Sequence, residues 1–241
     1  MHISGRTTVC GIVGDPIEHS LSPAMQNAAF ESTGLNYVYV PFRLPRGEIG
    51  VCAHAMRALD LRGLNVTVPH KVDVISCLDS VDVCAARIGA VNTVVNDHGH
   101  LRGYNTDSLG FGEAIEDGGV QVDAARVVVL GAGGAARAVV FALVERGACV
   151  VVLNRDAARA KALAEDVSSA WRCAVGHGPL TMGVLEAELS HAALLVNTTS
   201  VGMHPSEDAT PCPGSLLRSD LAVCDIVYNP RRTMLLRDAA S

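Results

Sequence analysis

The 241-residue chain reads as an α/β protein built in two halves, and three observations predict that class. Short apolar runs alternate with stretches of helical period nearly from end to end, the pattern of strand–helix–strand units. A glycine-rich loop, Gly131-Ala132-Gly133-Gly134-Ala135-Ala136, follows one apolar run directly and opens a helical stretch. Asp117-Gly118-Gly119 is the best linker candidate, which divides residues 1–118 from a second half beginning at 119.

Taken in order, Val9–Val13 predicts a strand, because an apolar run is broken at once by the turn Gly14-Asp15-Pro16. A helix opens at Pro23, whose ring suits a first helical position. Tyr37–Pro41 predicts the next strand and Gly47–Leu59 the next helix. Gly63–Val68 is a strand ended by Pro69, and the helix expected after it carries Lys71. Ala90–Val95 and His100–Tyr104 predict two strands around the turn Asn96-Asp97-His98-Gly99, with a helix near Ser108–Glu116. Beyond the linker, Arg126–Leu130 is a strand, Gly133–Arg146 a helix, Cys149–Leu153 a strand and Ala157–Val167 a helix. Leu194–Asn197 and Ala222–Val227 complete the strands, and no repeat is visible.

Composition narrows the function classes. With 49% apolar and 18% charged residues, the chain can bury a core without a disulfide or metal staple. A net charge of −6 gives no basic field for nucleic acid or anionic lipid, and 4% aromatics argue against a base-stacking face. The longest uncharged, mostly apolar run, Val127 to Ala136, falls short of the about 20 residues a membrane span needs. The apolar start at Val9 is too short for a signal peptide. Eight cysteines form no C-x-x-C pair and nine histidines form no H-E-x-x-H, so reduced thiols, a cytoplasmic setting and no metal site are expected.

The loop Gly131–Ala136 fits G-x-G-x-x-[GA]: Gly131 for a tight turn, Gly133 for close approach of backbone to a pyrophosphate, Ala136 for helix–strand contact. Its chemistry is that of unblocked N–H groups at a helix N-terminus, where partial positive charge meets phosphate. A plain glycine-rich turn would look the same, so the following strand decides. Where an NAD site would place a carboxylate on the ribose 2′-hydroxyl, the chain reads Leu153-Asn154-Arg155-Asp156, with Arg159 one helical turn further. Guanidinium forks suit a 2′-phosphate, so NADP is the expected cofactor. Asp156 would repel that phosphate unless it faces away.

The first half holds three segments that join small polar groups to a turn. In an extended His19-Ser20-Leu21-Ser22-Pro23 the two serines share a face and could hold a carboxylate, although Ser22 could equally cap the helix. In Asn65-Val66-Thr67-Val68-Pro69-His70-Lys71 alternation puts Asn65 and Thr67 opposite Val66 and Val68. Polar groups on a covered strand face need partners, and Lys71 falls just past the strand end, where α/β sheets bind ligands; a surface lysine fits as well. Asp107, after Gly103-Tyr104-Asn105-Thr106, could cap a helix or pair with Lys71 as an acid/base unit.

Together these segments resemble the shikimate dehydrogenase family, NADP-linked enzymes that reduce 3-dehydroshikimate. The resemblance runs in family order through Ser20–Pro23, Asn65–Lys71, Gly89–Thr93, Gly103–Asp107, Gly131–Arg137, Asn154-Arg155, Asn197–Met203 and Asp225–Pro230. It implies a substrate-binding and catalytic domain at 1–118, with 229–241 returning to it, and an NADP-binding Rossmann domain at 119–228. It implies that Ser20 and Ser22 bind the substrate carboxylate with Tyr228 near the same end, and that Asn65, Thr67, Asn92 and Asp107 hold the ring hydroxyls. Lys71, paired with Asp107, is then the catalytic lysine. Gly131, Ala132, Gly133, Gly134 and Ala135 correspond to the pyrophosphate loop. Asn154, Arg155 and Arg159 correspond to the 2′-phosphate clamp, and Ile226 to the nicotinamide pocket. A small-molecule substrate and a monomer or homodimer are expected. The family usually continues beyond the point matching Ser241 with a glycine-rich turn and a helix bearing a substrate-contacting glutamine; the sequence 233–240 looks like the first turns of a helix. A quinate/shikimate dehydrogenase with relaxed cofactor preference, and a non-catalytic NADP- or shikimate-binding protein lacking that tail, are the alternatives the resemblance leaves open.

Overall fold

In the computed structural model, which describes residues 3–241, the chain divides into two units, Met1–Thr106 and Asp107–Ser241. The first is laid out by β1 (Thr8–Gly14), α1 (Ser22–Thr33), β2 (Tyr37–Arg43), α2 (Ile49–Ala58) and β3 (Gly63–Val66), followed by β4 (Ser80–Val81), α3 (Val83–Ile88), β5 (Thr93–Asp97) and β6 (His100–Tyr104). Its six-stranded sheet has the order β2-β1-β3-β5-β6-β4. β1 runs parallel to β2 and β3, and β5 runs antiparallel to β3 and β6. That reversal brings the end of β3, the start of β5 and the end of β6 to one edge, in the register Asn65↔Thr93↔Tyr104. Val13, Leu64, Val66 and Val94 pack with Met56 of α2 on one side of the sheet, while Ile12, Ile17 and Tyr39 form a separate cluster.

The second unit contains α4 (Asp107–Asp117), β7 (Arg126–Leu130), α5 (Gly134–Glu145), β8 (Cys149–Asn154), α6 (Ala157–Trp171) and β9 (Gly176–Pro179). It continues with α7 (Met182–Leu189), β10 (Leu194–Asn197), β11 (Ala222–Asp225) and α8 (Met234–Ala239). The five strands, in the order β11-β10-β7-β8-β9, are all parallel. A sheet covered on both faces needs continuous apolar runs, and Val127–Leu130 and Val150–Leu153 are buried throughout. One apolar cluster includes Val139, Leu143, Leu163 and Val167; another includes Leu185, Leu189, Leu221 and Leu235. Strand order reverses between β7 and β10, the switch point at which such sheets bind dinucleotides.

Several expectations change. No helix carries Lys71: its carbonyl accepts from Val91 N–H at 2.8 Å, which removes it from any helical ladder, and a short 3-10 helix begins only at Asp73. Asp117-Gly118-Gly119 ends α4 rather than linking the units; Gly119 takes φ +70° and Val120 N–H bonds back to Ile115 at 3.0 Å. α4 packs with the second unit, where a Cβ at Gly112 would lie 2.2 Å from the Arg146 guanidinium and Arg146 Nε donates to Glu116 at 2.7 Å. The segment expected to return to the first half instead closes the second. Thr233 caps α8, and Leu235 is fully buried in the cluster with Cys212 and Leu221. The strand expected at Ala222–Val227 stops at Asp225. β4, α3, β9 and α7 were not foreseen; β9, Gly176-His177-Gly178-Pro179, has no β-branched residue to announce it. Among the described residues no helix is long and apolar enough to cross a membrane.

Candidate functional site

In the first unit the loops leaving β1, β2 and β3 are tied together. Thr67 N–H donates to Val13 O at 2.9 Å, Asp15 N–H to Val68 O at 2.9 Å and Leu44 N–H to Gly14 O at 3.1 Å. Gly14 permits this approach, since a Cβ there would stand 2.4 Å from Thr67 Cγ2. His70 is fully buried, with Nε2 2.7 Å from Leu44 O. Because that oxygen can only accept, Nε2 carries the hydrogen, and Nδ1 has no hydrogen-bond partner. His70 thus pins the turn that presents half-buried Lys71.

Ser20 and Ser22 are not on an extended segment. Leu21 is helical and forms the N-cap of α1, so the residues make a turn in which Ser22 N–H donates to Ser20 Oγ at 3.3 Å. Neither serine caps the helix by its side chain, and both remain half-buried.

Asn65 is the centre of a polar cluster. Its Oδ1 accepts from Tyr39 Oη at 2.6 Å, and its Nδ2 donates to Asn92 O at 3.3 Å and Thr93 Oγ1 at 3.1 Å. Thr93 Oγ1 donates onward to Asn92 Oδ1 at 2.9 Å, while Asn92 Nδ2 donates to Thr106 Oγ1 at 2.9 Å. Burial, reinforced by the nearby Cys10 thiol, pushes the Tyr39 hydroxyl well above the ordinary tyrosine range; a hydrogen bond with Ser22 acts in the opposite sense. Tyr39 therefore stays protonated and donates. Thr67 lies one residue past β3, on the same sheet edge. Sequence reasoning singled out Ser22, Asn65, Thr67 and Asn92 but missed Tyr39, Thr93 and Thr106. A tyrosine alternating into a strand's covered face was the available signal, because a buried phenol requires a partner.

Asp107 is the first residue of α4, in the second unit. There, β7 runs into the glycine loop. Gly131 takes φ +110°, and a Cβ on it would lie 2.6 Å from Thr198 Oγ1. Thr198, just after β10, donates from Oγ1 to Leu130 O at 2.6 Å, closing the switch point. Gly133, at the N-cap of α5, has open space where a Cβ would be, and no side chain caps the first turn of that helix. The residues Gly131 to Ala135 therefore leave backbone N–H groups and the positive helix end available to a phosphate, and Ala136 is fully buried as the motif requires.

At the end of β8, Asn154 Nδ2 donates to Asp156 O at 3.0 Å. The Asp156 carboxylate accepts from Ala158 N–H at 3.0 Å and Arg159 N–H at 3.4 Å, so it caps α6. Arg155 and Arg159 are exposed, in contrast to Arg137, which pairs with Asp166 at 2.7 Å. This donor set fits an NADP adenosine end. Ile226 is half-buried just past β11 and donates to Asn197 O at 3.1 Å; Tyr228 is exposed.

A parallel sheet with a glycine turn and an uncapped helix at its switch point defines a dinucleotide-binding α/β protein with an added α/β unit. Residues 12–94 match the family model for the shikimate dehydrogenase substrate binding domain, and residues 113–200 match that for shikimate / quinate 5-dehydrogenase. A shikimate dehydrogenase (NADP+) of Methanothermobacter thermautotrophicus is 44% identical over 239 residues, covering 98% of this chain and 83% of its own length. Among solved structures, a shikimate dehydrogenase in complex with NADP+ superposes with TM-score 0.91 at 38% identity, over 99% of this chain and 83% of its own. The Thermus thermophilus shikimate 5-dehydrogenase in complex with NADP(H) and shikimate gives TM-score 0.85 at 41% identity, over 97% and 84%. The chain belongs to the shikimate dehydrogenase family.

Proposed function

We propose that this chain is an NADP-dependent shikimate dehydrogenase that reversibly reduces 3-dehydroshikimate to shikimate, a step of aromatic amino-acid biosynthesis by way of chorismate. The observation that carries the reading is the polar edge of the first unit. Asn65, Asn92, Thr93 and Thr106 satisfy one another there, and Val91, next to Asn92, holds the backbone of Lys71. Oriented amides and hydroxyls beside a half-buried lysine suit a ring that carries several hydroxyls and one reacting carbonyl.

Asn65, Thr67, Asn92 and Asp107 hold the ring hydroxyls, while Ser20 and Ser22, with Tyr228, take the carboxylate. NADPH, when bound, would supply the hydride that the C3 carbonyl carbon takes up. The Lys71 ammonium gives its proton to the oxygen as negative charge develops there, is left neutral, and is recharged from solvent; Asp107 orients it. In the reverse direction neutral Lys71 accepts the hydroxyl proton. Backbone N–H groups from Gly131 to Ala135 would hold the pyrophosphate, Asn154, Arg155 and Arg159 would hold the 2′-phosphate, and Ile226 would line the nicotinamide pocket. The exposed guanidinium groups of Arg155 and Arg159 support NADP over NAD, while Asp156 caps α6. Eight free cysteines suit a reducing, cytoplasmic setting.

The test is the fall in NADPH absorbance on adding 3-dehydroshikimate to the purified chain, followed by kcat/KM for shikimate and quinate with each cofactor. Turnover that prefers shikimate and NADP is expected. Binding of NADPH without its oxidation would sink the reading, and a preference for quinate or NAD would replace it with a different dehydrogenase of the same family.

A further inference from the structure

The ends of β10 and β11, beside the switch point, share a polar network that the proposed cofactor contacts do not explain. Asn197, the last residue of β10, is fully buried, and its amide is saturated. Nδ2 donates to Asp225 Oδ1 at 2.9 Å and to Val201 O at 3.3 Å. Oδ1 accepts from Thr199 N–H at 3.0 Å and from Thr199 Oγ1 at 2.7 Å. With two hydrogens and two lone pairs taken, this side chain has nothing left to offer a ligand. Its bonds run inward, to the loop after β10 and to Asp225.

Asp225 ends β11 and gathers three donors on its two oxygens. Oδ1 accepts from Asn197 Nδ2 and from Val227 N–H at 3.0 Å, while Oδ2 accepts from Thr233 Oγ1 at 2.7 Å. Thr233 is itself fully buried and caps α8. The consequence falls on Ile226, which stands between two anchored amides. Its own N–H donates to Asn197 O at 3.1 Å, fixing the peptide plane before it. The Val227 N–H on Asp225 Oδ1 fixes the plane after it. A residue has two soft backbone torsions, and with both flanking planes held the direction of the Ile226 side chain is set. Taking away the carboxylate releases the second plane and leaves the N–H of buried Val227 without that acceptor.

We infer that Asp225 is a positioning residue for hydride transfer: its carboxylate locks the backbone around Ile226, and with it the wall against which a nicotinamide ring would rest. The inference rests on the proposed dehydrogenase reading, and the two fail separately. Wild type that does not oxidise NADPH with 3-dehydroshikimate sinks that reading by itself, whereas the lock is read in the cofactor-free protein. There, Val227 N–H should exchange with deuterium about 100-fold or more below the free-chain rate in wild type, and near that rate in Asp225→Ala. Free-chain exchange at Val227 in wild type would overturn the lock even where Asp225→Ala does not fold.

Given wild-type turnover, Asp225→Ala should lower kcat about 10- to 100-fold, the scale of a small misplacement of reacting groups. The rate is counted per site that binds adenosine 2′,5′-bisphosphate by calorimetry; this probe carries no nicotinamide, and its Kd should be unchanged. Asp225→Asn keeps an acceptor at the Oδ1 position, so kcat should return to within about threefold of wild type. Thr233→Val discards the cap of α8 and the bond to Oδ2 but leaves Oδ1 engaged. It should lower the melting temperature and leave kcat near the wild-type value. A merely structural role would instead make kcat follow the melting temperature across the three variants. That pattern, or a kcat in Asp225→Ala within about threefold of wild type, would overturn the inference.

Discussion

At the ends of β7 and β10 the second unit is nearly bare of side chains. Gly131 turns under Thr198, Gly133 opens the approach to α5, and the groups on offer are backbone N–H. At the ends of β3, β5 and β6 the first unit is crowded with amides and hydroxyls, each holding the next. The two edges suit different ligands. A phosphate is met by a helix terminus and tolerates a loop without side chains, whereas a polyhydroxy ring asks for donors and acceptors aimed individually, and these must be satisfied among themselves when buried. Small-residue sequence economy characterises one unit and a costly polar network the other.

The sharpest way to break this comparison is at Lys71, where the first unit's polar edge is expected to do chemistry and not merely bind. Lys71→Ala should lower kcat by about 10²–10⁴-fold, the range of general acid–base catalysis, with KM for NADP and the melting temperature little changed. Turnover within tenfold of wild type, measured under saturating substrate and cofactor, would reduce that edge to a binding surface.

The difference between the edges also explains what the sequence disclosed. The glycine loop was legible because its requirement is local: Gly131 needs φ +110° and α5 starts three residues on, so the motif and its mechanism lie in one short segment. Asn65, Thr67 and Lys71 were singled out because they stand together on one short strand-and-turn segment. Tyr39, Thr93 and Thr106 were not, since their partners lie 26, 28 and 14 residues away and only strand order brings them together. The placement of α4 and α8 was hidden for a related reason. Gly118-Gly119 has the composition of a linker, yet the helix before it packs on α5 through Gly112 and Arg146, a contact no local pattern announces.

A second prediction concerns the apolar half of the comparison. Leu235 is fully buried in the second unit, in an apolar cluster with Val128 and Leu195 of the sheet and with Cys212 and Leu221. Leu235→Ala should cost about 2–5 kcal/mol through lost transfer energy and the cavity left behind, read by urea denaturation. A loss below about 1 kcal/mol would mean that α8 contributes little to that core. The matching thiol test is Cys212, which burial, with Asp238 nearby, pushes up to about 11. It should resist alkylation in the native protein at pH 8, when exposed Cys84 and Cys149 react.

Cofactor selectivity sharpens the bare edge. Replacing Arg155 and Arg159 together by Ser should raise KM for NADP about 10- to 100-fold, the scale of charge-assisted hydrogen bonds, and leave KM for NAD nearly unchanged. Equal losses for both cofactors would show that the arginines serve the fold or the pyrophosphate rather than the 2′-phosphate.

The smallest expected effect is electrostatic and lies behind the polar edge. Asp79 accepts from Leu101 N–H at 2.7 Å and from Arg57 at 2.7 Å, and these two partners, the backbone bond foremost, hold its carboxyl below the usual 3.8. A carboxylate with a lowered folded value adds stability that is present above its unfolded value and lost as pH falls through the folded one. Asp79→Asn keeps the acceptor for Leu101 but discards the charge. The melting temperature of wild type should therefore exceed that of Asp79→Asn at pH 6, and the gap should narrow as pH drops below about 4. A gap that persists undiminished at pH 2 would assign the role of Asp79 to hydrogen-bond geometry alone, and would leave the first unit's polar groups, like the second unit's core, insensitive to charge.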